Sequence, residues 1–170
     1  AVGQGEQALV ALAEAIGATV WFEGLRHHAP FPTSHPSYRQ SLPGDARQVR
    51  MALGDTDLVL LIGGPFFEDI WFAPGGHIPD GAFVLQIEAS AERLALNNRL
   101  DAGIVGDIAV SVSALTEAVR AQASADFRQA AQNRNAALAE LQAKEKEAYR
   151  ARLEKSWDRQ PTAMPRVTAE

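Results

Sequence analysis

The stretch FPTSHPSYRQ, residues 31–40, holds a histidine between a serine and a proline, and Pro30, Pro32 and Pro36 stiffen the chain around it. An imidazole titrates near neutral pH, so His35 is the natural proton donor or acceptor of this stretch. Proline fixes φ, and a positioned acid or base needs such restriction. The same prolines would equally define a passive loop in which His35 braces the backbone. The sequence offers no second half of a catalytic machine: there is no GxSxG elbow and no triad spacing.

Other residues able to do chemistry are less organised. His27 and His28 are adjacent and His77 is far along the chain, without HExxH, a cysteine pair or a supporting carboxylate spacing, so no metal site is expected. Glu68 and Asp69 are neighbours, but a working acid–base pair must converge in space. Phe66, Phe67, Trp71 and Phe72 either line a pocket or pack a long loop against the domain. Gly63-Gly64-Pro65 follows an apolar run, the place where α/β proteins put ligand loops. IGGPFFE is not GxGxxG, however, and a proline followed by two phenylalanines makes a poor phosphate cradle.

The elements that must position these residues can be read from periodicity. Ala8, Leu9, Leu12, Ala13 and Ile16 recur at three and four, predicting a helix over 4–16 closed by Gly17. Strands are expected at 18–22, 58–62, 83–87 and 102–105, with 58–62 an unbroken aliphatic run suited to burial on both faces. Helices are expected at 45–53, across AERLALNNRL (91–100) and at 111–119. Residues 23–43 read as one long loop, the kind often used for function. Strands separated by helices predict an α/β domain of three layers, α/β/α, around a mostly parallel, Rossmann-like sheet. Such a domain ordinarily opens with a strand, and residues 1–5 look like the loop after one, so the first strand is expected to be missing.

From 121 to 160 the chain turns rich in Ala, Gln, Glu, Lys and Arg, predicting one or two long surface helices of mixed charge. Pro161 ends this helical extension, and PTAMPRVTAE reads as the start of a further segment. The boundaries are therefore 1–120, 121–160 and 161–170. With 170 residues, a net charge of −5 and a pI near 5.4, the chain suits one cored domain and not a nucleic-acid surface. It has no cysteine, hence no disulfide or thiol chemistry, and no apolar run long enough to span a membrane. A cytoplasmic location fits this composition.

APFPTSHPSYRQ, then DLVLLIGGPFF, then PGGHIPDGAFVLQIEASAERLALNNRLDAGIVGDI together resemble the central domain of thiamine-diphosphate-dependent 2-oxo-acid decarboxylases, most of all benzoylformate decarboxylases. The likeness covers about the first 120 residues in order, and PRVTAE is similar to the start of the following pyrophosphate-binding domain. The resemblance implies a middle domain, cut before its first strand and again after the linker. Thiamine diphosphate and Mg²⁺ would be bound by the other two domains of the parent, which lie outside this chain. The fragment alone would bind no cofactor and be inactive.

The resemblance further implies a catalytic role for His35, protonating or deprotonating intermediates after CO₂ has left. Pro32, Thr33, Pro36 and Arg39 would shape its loop. LRHHAPF departs from the usual approach to this loop and could change which acyl group is accepted. The substrate would be benzoylformate or another small 2-oxo acid, and the parent a homotetramer. Alternatives are a related carboligase or flavin-containing oxidase, or a silent scaffold. Some relatives bind FAD along loops corresponding to 63–67 and 88–93, but the glycine pattern here argues against FAD as a ligand.

Overall fold

The computed structural model describes residues 2–23, 30–68 and 75–157. Helix α1 (Val2–Ile16) leads into strand β1 (Val20–Phe22), and β2 (Tyr38–Ser41) runs parallel to β1. Then come α2 (Ala46–Leu53), β3 (Leu58–Ile62), β4 (Phe83–Glu88), β5 (Ala102–Val105), α3 (Ile108–Gln122) and α4 (Ala125–Ser156). Among the described residues every strand pairing is parallel, as expected. The strands form two sheets, β1–β2 and β3–β4–β5, where a single sheet was expected. β1 and β2 are short, and among the described residues each forms a strand ladder only with the other.

The helices begin where side chains satisfy orphan backbone donors. Asp45 accepts from Gln48 N–H at 3.0 Å, Asp107 from Val110 N–H at 2.9 Å and Ser124 from Phe127 N–H at 3.1 Å. Asp107 is why α3 starts three residues before the apolar period becomes visible in the sequence.

The three layers follow from the two faces of the β3–β4–β5 sheet. On one face Leu60, Ile62, Ile87 and Ile104 meet Leu9, Leu12 and Ile16 of α1 and Val112 and Leu115 of α3. On the other, Val59, Leu61 and Val84 meet Val49 of α2 and Phe67. Ile87 and Val112 are fully buried, each at 0 % exposure, so they mark the centre of the first layer contact.

Two expectations change. The long loop of 23–43 contains β2, which the polar composition YRQS concealed. The helix expected over 91–100 is a single 3₁₀ turn, Ala91–Arg93. The reason is a contact from β4: Gln86 Oε1 accepts from Ala95 N–H, and Ala95 has φ of 59°, outside the right-handed helical region. The long helix expected after residue 121 is present as the 32-residue α4, separated from α3 by a two-residue break, and one side of it is packed, with Ala131 only 3 % exposed. Among the described residues no helix is long and apolar enough to cross a membrane.

Candidate functional site

Two clusters hold the residues that the sequence singles out, and they lie at opposite ends of the strands. The first surrounds His35. Its loop is wound by two backbone bonds, His35 N–H to Pro32 O and Tyr38 N–H to His35 O, both 3.0 Å. Phe31 and Ser37 are each 1 % exposed and anchor the loop on both sides of the histidine. Ser37 N–H donates to His35 Nδ1 at 3.1 Å, which assigns the ring proton to Nε2 in the neutral form. Nε2 faces Glu14 Oε1 at 3.4 Å, and the ring meets Phe31 edge-on with centroids 5.1 Å apart. Both ring nitrogens are thus engaged within the chain. Arg39 leaves the same loop to pair with Glu145 of α4 at 2.6 Å.

The direction of the strands locates this cluster. The loop enters the amino end of β2, Ser37 O accepts from Val20 N–H at the amino end of β1, and Glu14 lies in the last turn of α1, which feeds β1. At the other end of β1, Glu23 Oε1 accepts from Phe67 N–H at 3.0 Å, just past the carboxyl end of β3. The carboxyl ends of β1 and β3 therefore face the same side. His35 sits on the opposite side, away from the edge where parallel α/β sheets receive ligands.

That edge is the second cluster, formed by the exits of β3, β4 and β5. Gly63 and Gly64 with a cis Gly64–Pro65 bond carry β3 into its exit loop. Phe67 is buried in the core and stacks on His77 with centroids 4.4 Å apart, and Asn97 donates to Phe66 O at 2.9 Å. The aromatics Phe66 and Phe67 thus pack the loop against the body. Glu68 is exposed, and Asp69, Trp71 and Phe72 lie outside the described residues, as do His27 and His28.

Gln86 and Glu88 belong to this edge and escaped the sequence reading. They are 3 % and 2 % exposed, on the face of β4 that also carries Val84. Gln86 Nε2 reaches Arg93 O at 3.4 Å. Glu88 Oε1 accepts from Ala89 N–H at 2.8 Å and from Ser90 N–H at 3.4 Å. Its Oε2 is buried with no hydrogen-bond partner and lies 2.7 Å from where a Cβ on Gly64 would stand. A glycine at 64 is what lets the β3 exit pass over this carboxylate. A legible signal existed: two polar residues, two apart, at the end of an otherwise apolar strand. Chemically, this edge offers one buried acceptor for a donor group.

Among the described residues no group of three or more His, Asp or Glu side chains could hold a metal ion. At this edge Glu88 takes the N–H groups of Ala89 and Ser90, and Asp107 takes that of Val110 in the first turn of α3, so these three donors are not free for a diphosphate.

The model for the central domain of thiamine pyrophosphate enzymes matches residues 1–115. A benzoylformate decarboxylase of Pseudomonas aeruginosa is 37 % identical over 114 residues, 67 % of this chain and 21 % of that enzyme. A thiamin diphosphate-dependent enzyme of Mycobacterium smegmatis superposes with TM-score 0.60 and 34 % identity, over 68 % of this chain and 22 % of that one. The 4-hydroxybenzoylformate decarboxylase of Rhodococcus jostii RHA1 gives TM-score 0.60 and 29 % identity, over 67 % and 21 % respectively. The chain spans about a fifth of the length of these relatives.

Proposed function

Because the chain belongs to the thiamine pyrophosphate enzyme family, matching its central domain, we propose that it is the middle domain of a decarboxylase acting on benzoylformate or a similar arylglyoxylate. The observation that carries this reading is the 37 % identity over 114 residues to a benzoylformate decarboxylase. In this reading the chain is a scaffold. It packs against two further domains of the same polypeptide, within a cytoplasmic homotetramer. Thiamine diphosphate with Mg²⁺, held by those domains, supplies the electron sink for loss of CO₂.

For His35 two roles compete. The family resemblance makes it a proton carrier. Its geometry supports a brace, since Nδ1 holds Ser37 N–H, Nε2 faces Glu14, and the loop lies at the amino ends of β1 and β2. We favour the brace. A flavin-dependent reaction is the competing reading of the domain. Occupation of the backbone donors at the β4 exit and the α3 start by Glu88 and Asp107 speaks against a flavin diphosphate there.

The test is CO₂ release from benzoylformate, 4-hydroxybenzoylformate and pyruvate by the full-length protein with thiamine diphosphate and Mg²⁺ added. Turnover of the aromatic acids by a colourless protein is expected. Turnover of pyruvate alone would overturn the substrate class, and turnover of none the decarboxylase reading. Bound yellow flavin would favour the competing reaction. His35→Asn separates the two roles, because its amide oxygen can accept from Ser37 N–H but cannot titrate. A brace leaves this variant close to wild type, whereas a proton carrier loses on the order of 10²–10⁴ in rate.

A further inference from the structure

Helix α4 lies beyond the residues that match the family model, yet it makes hydrogen bonds reaching 106 to 121 residues back along the chain. Ala131, Arg134, Asn135, Leu138, Gln142 and Glu145 recur at three and four and so share one face of the helix. At the start of that face, Arg134 donates to Ile16 O at 2.8 Å and Gly17 O at 3.2 Å, and Asn135 donates to Glu14 O at 2.8 Å. These carbonyls end α1, where the helix dipole favours a cation.

The fit there is close. Gly17 has φ of +62°, and a Cβ on it would stand 2.7 Å from Ala131 O. Further along α4, Gln142 Nε2 donates to Ser34 O at 2.8 Å and Glu145 accepts from Arg39 at 2.6 Å.

All of these contacts fall on the exit of α1, the loop before β2, or β2 itself. That is the part of the molecule whose strands form no ladder with β3–β4–β5. We propose that α4 is a strap that locks the β1–β2 pair and the Pro30–Ser41 loop onto the body of the domain. Arg39 is the fastening point. Its Nη1 is buried without a hydrogen-bond partner and its Nη2 is held by Glu145, so loss of Glu145 leaves a mostly buried guanidinium uncompensated. The strap does not depend on which reaction the parent enzyme performs.

Amide hydrogen exchange followed by NMR on the full 170-residue chain tests it, comparing wild type with Gln142→Ala/Glu145→Ala. The amides of Val20, Tyr38 and Leu42, which bond within the β1–β2 region, should exchange on the order of tenfold faster. Those of Gly63, Phe83 and Asp101, which bond across the three-stranded sheet, should keep their rates. Unchanged rates in the first group would overturn the proposal. So would an equal rise in both groups, which would make α4 a general support and not a strap. Should the double variant not fold, Gln142→Ala alone must show the same partition at smaller amplitude, and its absence there would also overturn the proposal.

Discussion

At the amino ends of β1 and β2, His35 has both ring nitrogens engaged within the chain, while at the carboxyl end of β4 Glu88 keeps one buried oxygen without a partner. In the first cluster the histidine and a serine backbone amide are matched to partners from α1 and their own loop, while Arg39 is held by Glu145 of α4 through Nη2 and keeps a buried donor, Nη1, without a partner. The second spends its backbone donors on carboxylates yet leaves acceptor capacity over. The two clusters differ in position relative to strand direction: loops at the carboxyl ends of a parallel sheet converge on a crevice, whereas the His35 loop is tied to the last turn of α1.

Substitutions can break this contrast. The largest effect is expected for Gly17→Val, where a side chain at positive φ would collide with Ala131 and unseat α4. We expect a loss of about 3 kcal/mol, read as a lower midpoint in urea unfolding. A loss below about 1 kcal/mol would mean that the amino-end cluster does not depend on that contact.

Glu88→Ala should come next, at about 2 kcal/mol in the same assay, because it strands the amides of Ala89 and Ser90. If it instead stabilises the chain, the orphan Oε2 costs more than the two bonds return. His35→Ala should cost about 1 kcal/mol through loss of the Ser37 bond and the Phe31 contact, and His35→Asn clearly less. Equal losses in the two variants would show that the acceptor at Nδ1 is not what holds the loop. Glu117→Gln, at the exposed Arg120 pair that serves neither cluster, should change the midpoint little, as exposed ion pairs usually do. A large shift there would mean that stability is not organised around the two ends.

Much of the fold was legible before any coordinates. The aliphatic run LVLLI reads as a strand that is apolar on both faces, and the spacing of Leu9, Leu12 and Ile16 presents one helical stripe. β2 was hidden because YRQS has no apolar period; it is a strand through its ladder to β1 and the packing of Tyr38 on Phe22, with ring centroids 4.8 Å apart. AERLALNNRL has helical composition, but the side chain of Gln86 captures the amide of Ala95 and its chain turns elsewhere. Tertiary contact overrides propensity in both cases.

Of the candidate-site residues, the sequence singled out His35 and the Gly63–Phe67 exit, and it missed Gln86, Glu88 and the partners on α4. Local pattern alone determined most of the element types, the α/β class, the layer order and the stiff loop around His35, since these follow from periodicity and backbone restriction within a few residues. Only the tertiary structure decided which end of the strands that loop occupies, that Glu88 lies buried beneath Gly64, and that a mixed-charge helix straps β2 through Glu145. Those facts join residues between 24 and 106 positions apart in the chain. Nothing in local spacing encodes such meetings, because they arise from how whole layers close on one another.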